Sequence, residues 1–143
     1  MSVIRVKVQI DDTGIEDYIR SIIEDEKARL EMHNSLARYC SDFLPMSEGD
    51  LMRNIEVTPE HLRYNAPYAH YQYVGELYLA ENGSSWARAG EKKHPSGRPL
   101  VLSKERHPLA SKKWDKAMLA NRGDAFAEEI KTILVRRAKE MYG

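Results

Sequence analysis

Pro67 and Gly75 bracket the stretch that most constrains what this chain can fold into. Proline has no N–H to give to a ladder, so a strand arriving from the N-terminal side must end before Pro67. Tyr68, Tyr71 and Gln72 then fall at helical spacing, and glycine readily takes the left-handed conformation that stops a helix. A short helical turn over 68–74, halted by Gly75, is the expectation. With Tyr64 and Tyr73 the region holds four tyrosines in ten residues. No acid, thiol or lysine sits among them, and His70 alone titrates near neutral pH. Tyrosine supplies large, rigid, amphipathic contact area. The stretch therefore points to packing or subunit contact rather than catalysis.

The flanking patterns supply the other elements. Val3 to Ile10 alternates with period two and reads as a half-buried strand. Thr13 with Glu16 forms a capping box, and Asp12, Glu16 and Asp17 suit the positive end of a helix dipole. Ile15, Tyr18, Ile19, Ile22, Ile23, Leu30, His33, Leu36, Ala37 and Cys40 follow at helical spacing, interrupted by a polar gap near Glu26. This predicts one long N-terminal helix with Pro45 beyond its end. Residues 46–50 form a turn that opens a helical turn at Asp50-Leu51-Met52. Asn54–Thr58 and His61–Asn65 read as a hairpin around Thr58-Pro59-Glu60, with Ile55 and Val57 on one face of the first strand and Leu62 and Tyr64 alternating in the second.

Beyond Gly75 the segment 81–106 is polar and punctuated by glycine and proline, which predicts a long flexible loop, with a strand over Pro99–Ser103 inside or after it. Leu109 to Ala120 predicts a short helix around Trp114 and Met118. Asn121-Arg122-Gly123-Asp124 breaks it, and Asp124 caps a final helix carrying Phe126, Ile130, Ile133, Leu134, Arg137 and Met141. The expected architecture is α+β: a single domain over 1–143, with a mainly antiparallel sheet and the long N-terminal and C-terminal helices packed on one face.

A chain of 143 residues suits one domain and buries roughly 68–70% of its unfolded surface. Its 42% hydrophobic and 31% charged residues are ordinary for a soluble globular domain. No apolar run is long enough to span a membrane, and the first residues lack the apolar core of a secretion signal. The single cysteine, Cys40, excludes an internal disulfide or a Cys-rich zinc site and reads as a buried thiol of a protein made in a reducing cytoplasm.

The five histidines (His33, His61, His70, His94, His107) form no ligand pair at metal spacing. His33 reads as a core or boundary residue. No nucleophile elbow or phosphate-binding glycine loop is present. The carboxylates between Glu16 and Glu31 read as a solvated helix face. No enzyme chemistry, metal or cofactor is implied.

Charge is where the chain departs from the ordinary. Its net charge is zero, yet residues 1–60 carry −6 and residues 86–116 carry +6. The second region brings Arg88, Lys92, Lys93, Arg98, Lys104 and Arg106 together with Trp86 and His94. Three readings compete for it. Basic residues beside an aromatic suit phosphate contact and base stacking, which would make 86–113 a nucleic-acid-binding module. A solvated arm explains the composition without any partner. Ring assembly is preferred, because a head-to-tail contact needs two different, complementary patches on one chain.

Three stretches resemble the minor capsid and head–tail joining (tail completion) proteins of tailed bacteriophages. Ala66-Pro67-Tyr68-Ala69-His70-Tyr71-Gln72-Tyr73-Val74-Gly75 is similar to that family's Ala-Pro-Tyr-Ala-x-Tyr-x-Tyr-x-Gly. Upstream, Pro45, Gly49 and Leu51 within Phe43–Leu51 match its Val-Pro-Met-x-x-Gly-x-Leu. Downstream, Arg98-Pro99-Leu100, then His107, Pro108 and Ala110, then Trp114, match its Pro-Leu, His-Pro-x-Ala and Trp positions. The resemblance covers about residues 43–118. It implies a virion protein that joins head to tail, or completes the tail, as a ring of identical subunits. Its implied partners are portal, adaptor or tail-tube proteins, with transient DNA contact and no membrane. Alone, such a protein would be monomeric or weakly associated. It would be assembled in the host cytoplasm.

Overall fold

A computed structural model of the chain describes residues 2–7, 16–45, 50–104 and 106–143. In chain order it contains β1 (Ser2–Ile4), α1 (Glu16–Ile23), α2 (Glu26–Cys40), a 3-10 turn (Ser41–Phe43), α3 (Asp50–Arg53), β2 (Ile55–Val57), β3 (Leu62–Tyr64), α4 (Ala69–Val74), β4 (Glu76–Leu79), β5 (His94–Pro99) and α5 (Trp114–Tyr142). The class is α+β, as the patterning predicts.

The expected hairpin forms, and its register places Ile55 opposite Tyr64 and Val57 opposite Leu62. Thr58 closes its turn: Oγ1 accepts the N–H groups of Glu60 and His61 at 3.2 and 3.1 Å. Period-two alternation places Leu62 and Tyr64 in the core and leaves Arg63 half-buried. β1 pairs antiparallel with the other edge of β3, giving the order β1-β3-β2. β1 is shorter than the Val3–Ile10 pattern predicts. Ile4 and Val6 still pack on the core, but the Val6 N–H is donated to Nε2 of His33 at 3.1 Å instead of to a strand. Val8–Ile10 and the Thr13 cap lie outside the described residues.

The single long N-terminal helix is corrected to two helices. Asp25 is extended, with φ −63° and ψ 129°. Its carboxylate accepts the Ala28 N–H at 3.0 Å, a new N-cap inside the polar gap. The break resets the helical phase. Ala28, Met32, Leu36 and Cys40 form the buried row, and Leu30 turns out to be exposed.

At the C-terminal end the reverse happens, and two expected helices merge into one. Only Arg122 leaves helical geometry, with φ −134° and ψ 19°, so the Asn121–Asp124 break is a kink. Its guanidinium reaches the Asp42 carboxylate at 2.7 Å and lies 5.2 Å from the Phe43 ring centre. The helix starts at Trp114 rather than Leu109, because the Lys113 N–H is held by the Tyr73 carbonyl at 2.8 Å and Lys113 is left-handed at φ 47°.

The expected single sheet is two sheets. β4 and β5 form a separate antiparallel pair, so the strand expected over Pro99–Ser103 lies earlier, at His94–Pro99. Glu76 faces Pro99 but Tyr78 faces Pro95, so Ser96, Gly97 and Arg98 lie across from Leu77 alone, a bulge. Gly97 takes φ +75°, and its N–H is accepted by the Glu76 carboxylate at 3.1 Å. α5 lies chiefly against α2 rather than on a sheet face, while α2 packs on β2 and β3.

α2 and α5 run antiparallel and are joined along their edge by charge. Arg137 pairs with Asp25 at 2.6 Å. Arg38 grips Glu129 with two bonds of 3.1 and 3.2 Å. Ser35 also donates to Glu129, and Arg136 pairs with Glu31. The hydrogen bond from Arg137 holds the Asp25 carboxyl below its ordinary 3.8, and that from Ser35 holds Glu129 below 4.5. Burial, aided by the nearby charges of His61 and Arg5 and opposed by the hydrogen bond to the Arg29 backbone, holds His33 below 6.5. All three shifts are depressions, so each contributes stability that is complete above the unfolded pKa and is lost as pH falls toward the folded one. Acidification is expected to act in two steps. Stability to denaturant declines first below about pH 6.5, as His33 must charge, and again below about 4.5, as the two carboxylates protonate. Urea midpoints from pH 8 down to about pH 2 test this, and His33→Gln should erase the upper step alone.

Candidate assembly arm

Phe43 and Leu44, residues 64–75 and residues 107–114 are far apart in sequence and are joined by ring contacts and hydrogen bonds beside one buried side chain. Trp114 is 0% exposed. The rings of Tyr64 and Tyr73 meet it edge-on at 5.2 and 5.0 Å. The Tyr73 hydroxyl donates to Asp115 at 2.8 Å. Burial and that carboxylate push the phenol up to about 12. His107 Nδ1 donates to the Leu44 carbonyl at 3.0 Å, and the Ser111 N–H donates to the Phe43 carbonyl at 3.0 Å. Leu51 and Ala69 belong to the same buried core, and Pro45 and Ala110 are buried as well. Gly75 ends α4 at φ 74°, as the sequence predicts. Its N–H is accepted by Tyr71 at 2.8 Å, and its carbonyl accepts the Leu100 N–H at 2.9 Å. Pro67, Tyr68 and Pro108 are exposed, Tyr71 is half-buried, and Gly49 lies outside the described residues. The knot is packing and hydrogen bonding. Its buried thiol, Cys40, is pushed up to about 12 by burial and is unreactive as a nucleophile.

What the knot holds in place is the β4–β5 arm. Residues 80–93 connect its strands through a tight local scaffold: the Ala80 N–H donates to the Ser84 carbonyl at 2.8 Å, and the Trp86 N–H to Ser84 Oγ at 3.1 Å. Trp86 stands on this scaffold with 84% of its surface exposed. Arg88, Lys92, Arg98, Lys104 and Arg106 are also exposed. Lys93 is half-buried, its ammonium 5.5 Å from the centre of the Tyr71 ring. Tyr71 in turn packs on Tyr78 at 4.8 Å, joining the root of the arm to α4. The basic residues are thus spread along a structured arm and its C-terminal connection. Among the described residues no cluster of His, Cys, Asp or Glu suits a metal ion, and no helix is long and apolar enough to cross a membrane.

A second surface feature escaped the sequence. An apolar groove of about 580 Å³ runs between α1, the segment after β1, and α5, lined among others by Ile19, Ile22, Phe126, Ile130, Leu134 and Val135. Helical periodicity marks most of these side chains as apolar but says nothing about whether a neighbour covers them. The one available hint was that Leu119 and Val135 fall outside the predicted apolar stripe.

A family model described as "Minor capsid protein" matches residues 6–134, most of the chain and well beyond the motif region on both sides. This chain belongs to the phage minor capsid protein family. No curated protein and no solved structure matches it. As a minor capsid protein it is a structural component of the virion and contacts other virion proteins. Its Trp114 knot therefore sits inside a particle subunit, and the arm and the groove are its most distinctive outward features.

Proposed function

We propose that this minor capsid protein is a ring-forming neck subunit that joins the phage head to the tail, or completes the tail end, through surface complementarity alone. The observation that carries the reading is the arm: an exposed tryptophan and a row of cations stand off a core built from the motif residues. A ring needs head-to-tail contacts between unlike patches. The basic arm supplies one patch. The acidic residues of the first 60 supply the other, apart from Asp25, Glu31 and Asp42, which α5 arginines hold. Opposite charge gives register and steering. Tryptophan and arginine are the side chains that most often dominate interface energy. Portal, adaptor or tail-tube proteins are the expected neighbours.

Mixing the purified protein with portal, adaptor and tail-tube proteins of its own phage should give a sedimenting complex. Trp86→Ala should weaken that complex at least tenfold without unfolding the subunit. A wild-type protein that stays monomeric at high concentration and binds none of the three defeats the reading. DNA contact is the second reading, favoured by the exposure of Arg88, Lys92, Arg98, Lys104 and Arg106. It requires duplex binding that weakens steeply with salt and is lost in Lys92→Glu/Lys93→Glu. The ring reading expects that variant to impair co-assembly whether or not DNA is present.

A further inference from the structure

We infer that His33 is a proton-operated latch: its neutral ring holds the N-terminal segment 2–7 on the core, and its charged ring lets that segment go. This stands apart from the ring reading and does not depend on it. Val6 donates its N–H to Nε2 of His33 at 3.1 Å, and the residue is only 3% exposed. An imidazole nitrogen accepts only while unprotonated, so Nδ1 carries the ring proton, on the side of the Arg29 backbone. A second proton lands on Nε2 and turns the acceptor into a donor aimed at another donor. Little else fastens the segment. β1 is three residues long, lies at the edge of its sheet and, among the described residues, pairs with β3 alone. Val3, Arg5 and Lys7 are exposed, while Ile4 and Val6 pack on the core. Short edge elements with few buried side chains open locally at lower free energy than the body of a domain. Release bares the edge of β3 from Leu62 to Tyr64, a row of backbone groups of the kind that takes up a further strand.

The surrounding charges add to the effect. Arg29 acts on His33 from its own helix, His61 from the hairpin and Arg5 from the segment itself. The carboxylates of this region are turned to those cations instead. Glu60 lies 3.7 Å from Arg29, and Glu56 lies 3.8 Å from His61 and 3.9 Å from Arg63. A charged His33 therefore meets Arg5 as a like charge, and the repulsion acts on the very segment that the bond had held. The ion pairs between α2 and α5 persist over the same range, because Arg137 and Ser35 hold Asp25 and Glu129 low. Acid thus opens the N-terminal edge before it loosens the helix pair.

Residue-resolved amide exchange of the full chain between pH 8 and 5 tests this, with the His33 ring followed by its nitrogen chemical shifts. Protection of the Val6 amide, corrected for the intrinsic exchange rate, should fall at least tenfold as the ring titrates, while the amides of α2 and α5 stay protected. His33→Gln has a side-chain carbonyl that accepts but does not titrate, and it should keep Val6 protected down to pH 5. His33→Phe has no acceptor and should leave Val6 unprotected already at pH 8. If either variant fails to fold, the wild-type titration decides alone. Val6 protection that stays constant while the ring titrates overturns the latch. So does loss at Val6 together with α2 and α5, which signals global unfolding. Release in His33→Gln at the wild-type pH assigns the response to another group and overturns it as well.

Discussion

Trp114→Ala should cost about 3–5 kcal/mol, the range for removing a large buried aromatic. Two causes add. The indole is fully buried, so its removal leaves a cavity that the surrounding helices and strands cannot close. Its edge-on partners, Tyr64 of β3 and Tyr73 of α4, lose the ring that joins them to the start of α5. A domain of this size has about 5–15 kcal/mol in total, so the loss takes a large share. The melting temperature followed by circular dichroism should fall by roughly 10 °C or more. Trp86→Ala is the matched control. That indole is exposed, and its removal should stay within about 0.5 kcal/mol. A Trp114→Ala protein melting within a few degrees of wild type would show that the knot is not the centre of the core.

Gly75→Ala should cost about 2 kcal/mol or more, also read as a lowered melting temperature. A left-handed backbone costs a residue with a side chain about 1–2 kcal/mol, and Gly75 sits at φ +74°. Here the new methyl also meets Lys112 Cβ and Cδ, both at 2.7 Å. Lys112 has little room to retreat, because the next residue donates its N–H to Tyr73. The clash therefore pushes against the junction of α4, the arm and α5 together. Gly97→Ala separates the two causes. It has φ +75° but nothing within 4 Å of the added atom, so it should show only the backbone part. Equal losses at the two glycines would mean that the Lys112 contact is unimportant.

Local chemistry made some of this protein legible from its residues. Pro67 and Gly75 bound α4 because one lacks an N–H and the other tolerates positive φ. Thr58-Pro59-Glu60 set the hairpin, and alternation placed Leu62 and Tyr64 inward. The missing pieces all depended on partners distant in sequence. Asp25 breaks the N-terminal helix with a cap reinforced by Arg137. Arg122 keeps the C-terminal helix continuous through a kink as it reaches Asp42. The residues from His94 to Pro99 read as loop, since two prolines and a glycine hide the strand that β4 recruits.

The same division holds for the surface. Trp86 and its neighbouring cations were visible in the chain as a composition, and the motif residues were visible as a family resemblance. Only the fold showed that Leu51, Ala69, Tyr73 and Trp114 share one buried core, and that several of the cations belong to a strand-built arm. The groove between α1 and α5 left only the hint of Leu119 and Val135 outside the predicted stripe. Periodicity along one chain reports which side chains avoid water. Whether another element covers them is decided when the whole chain packs.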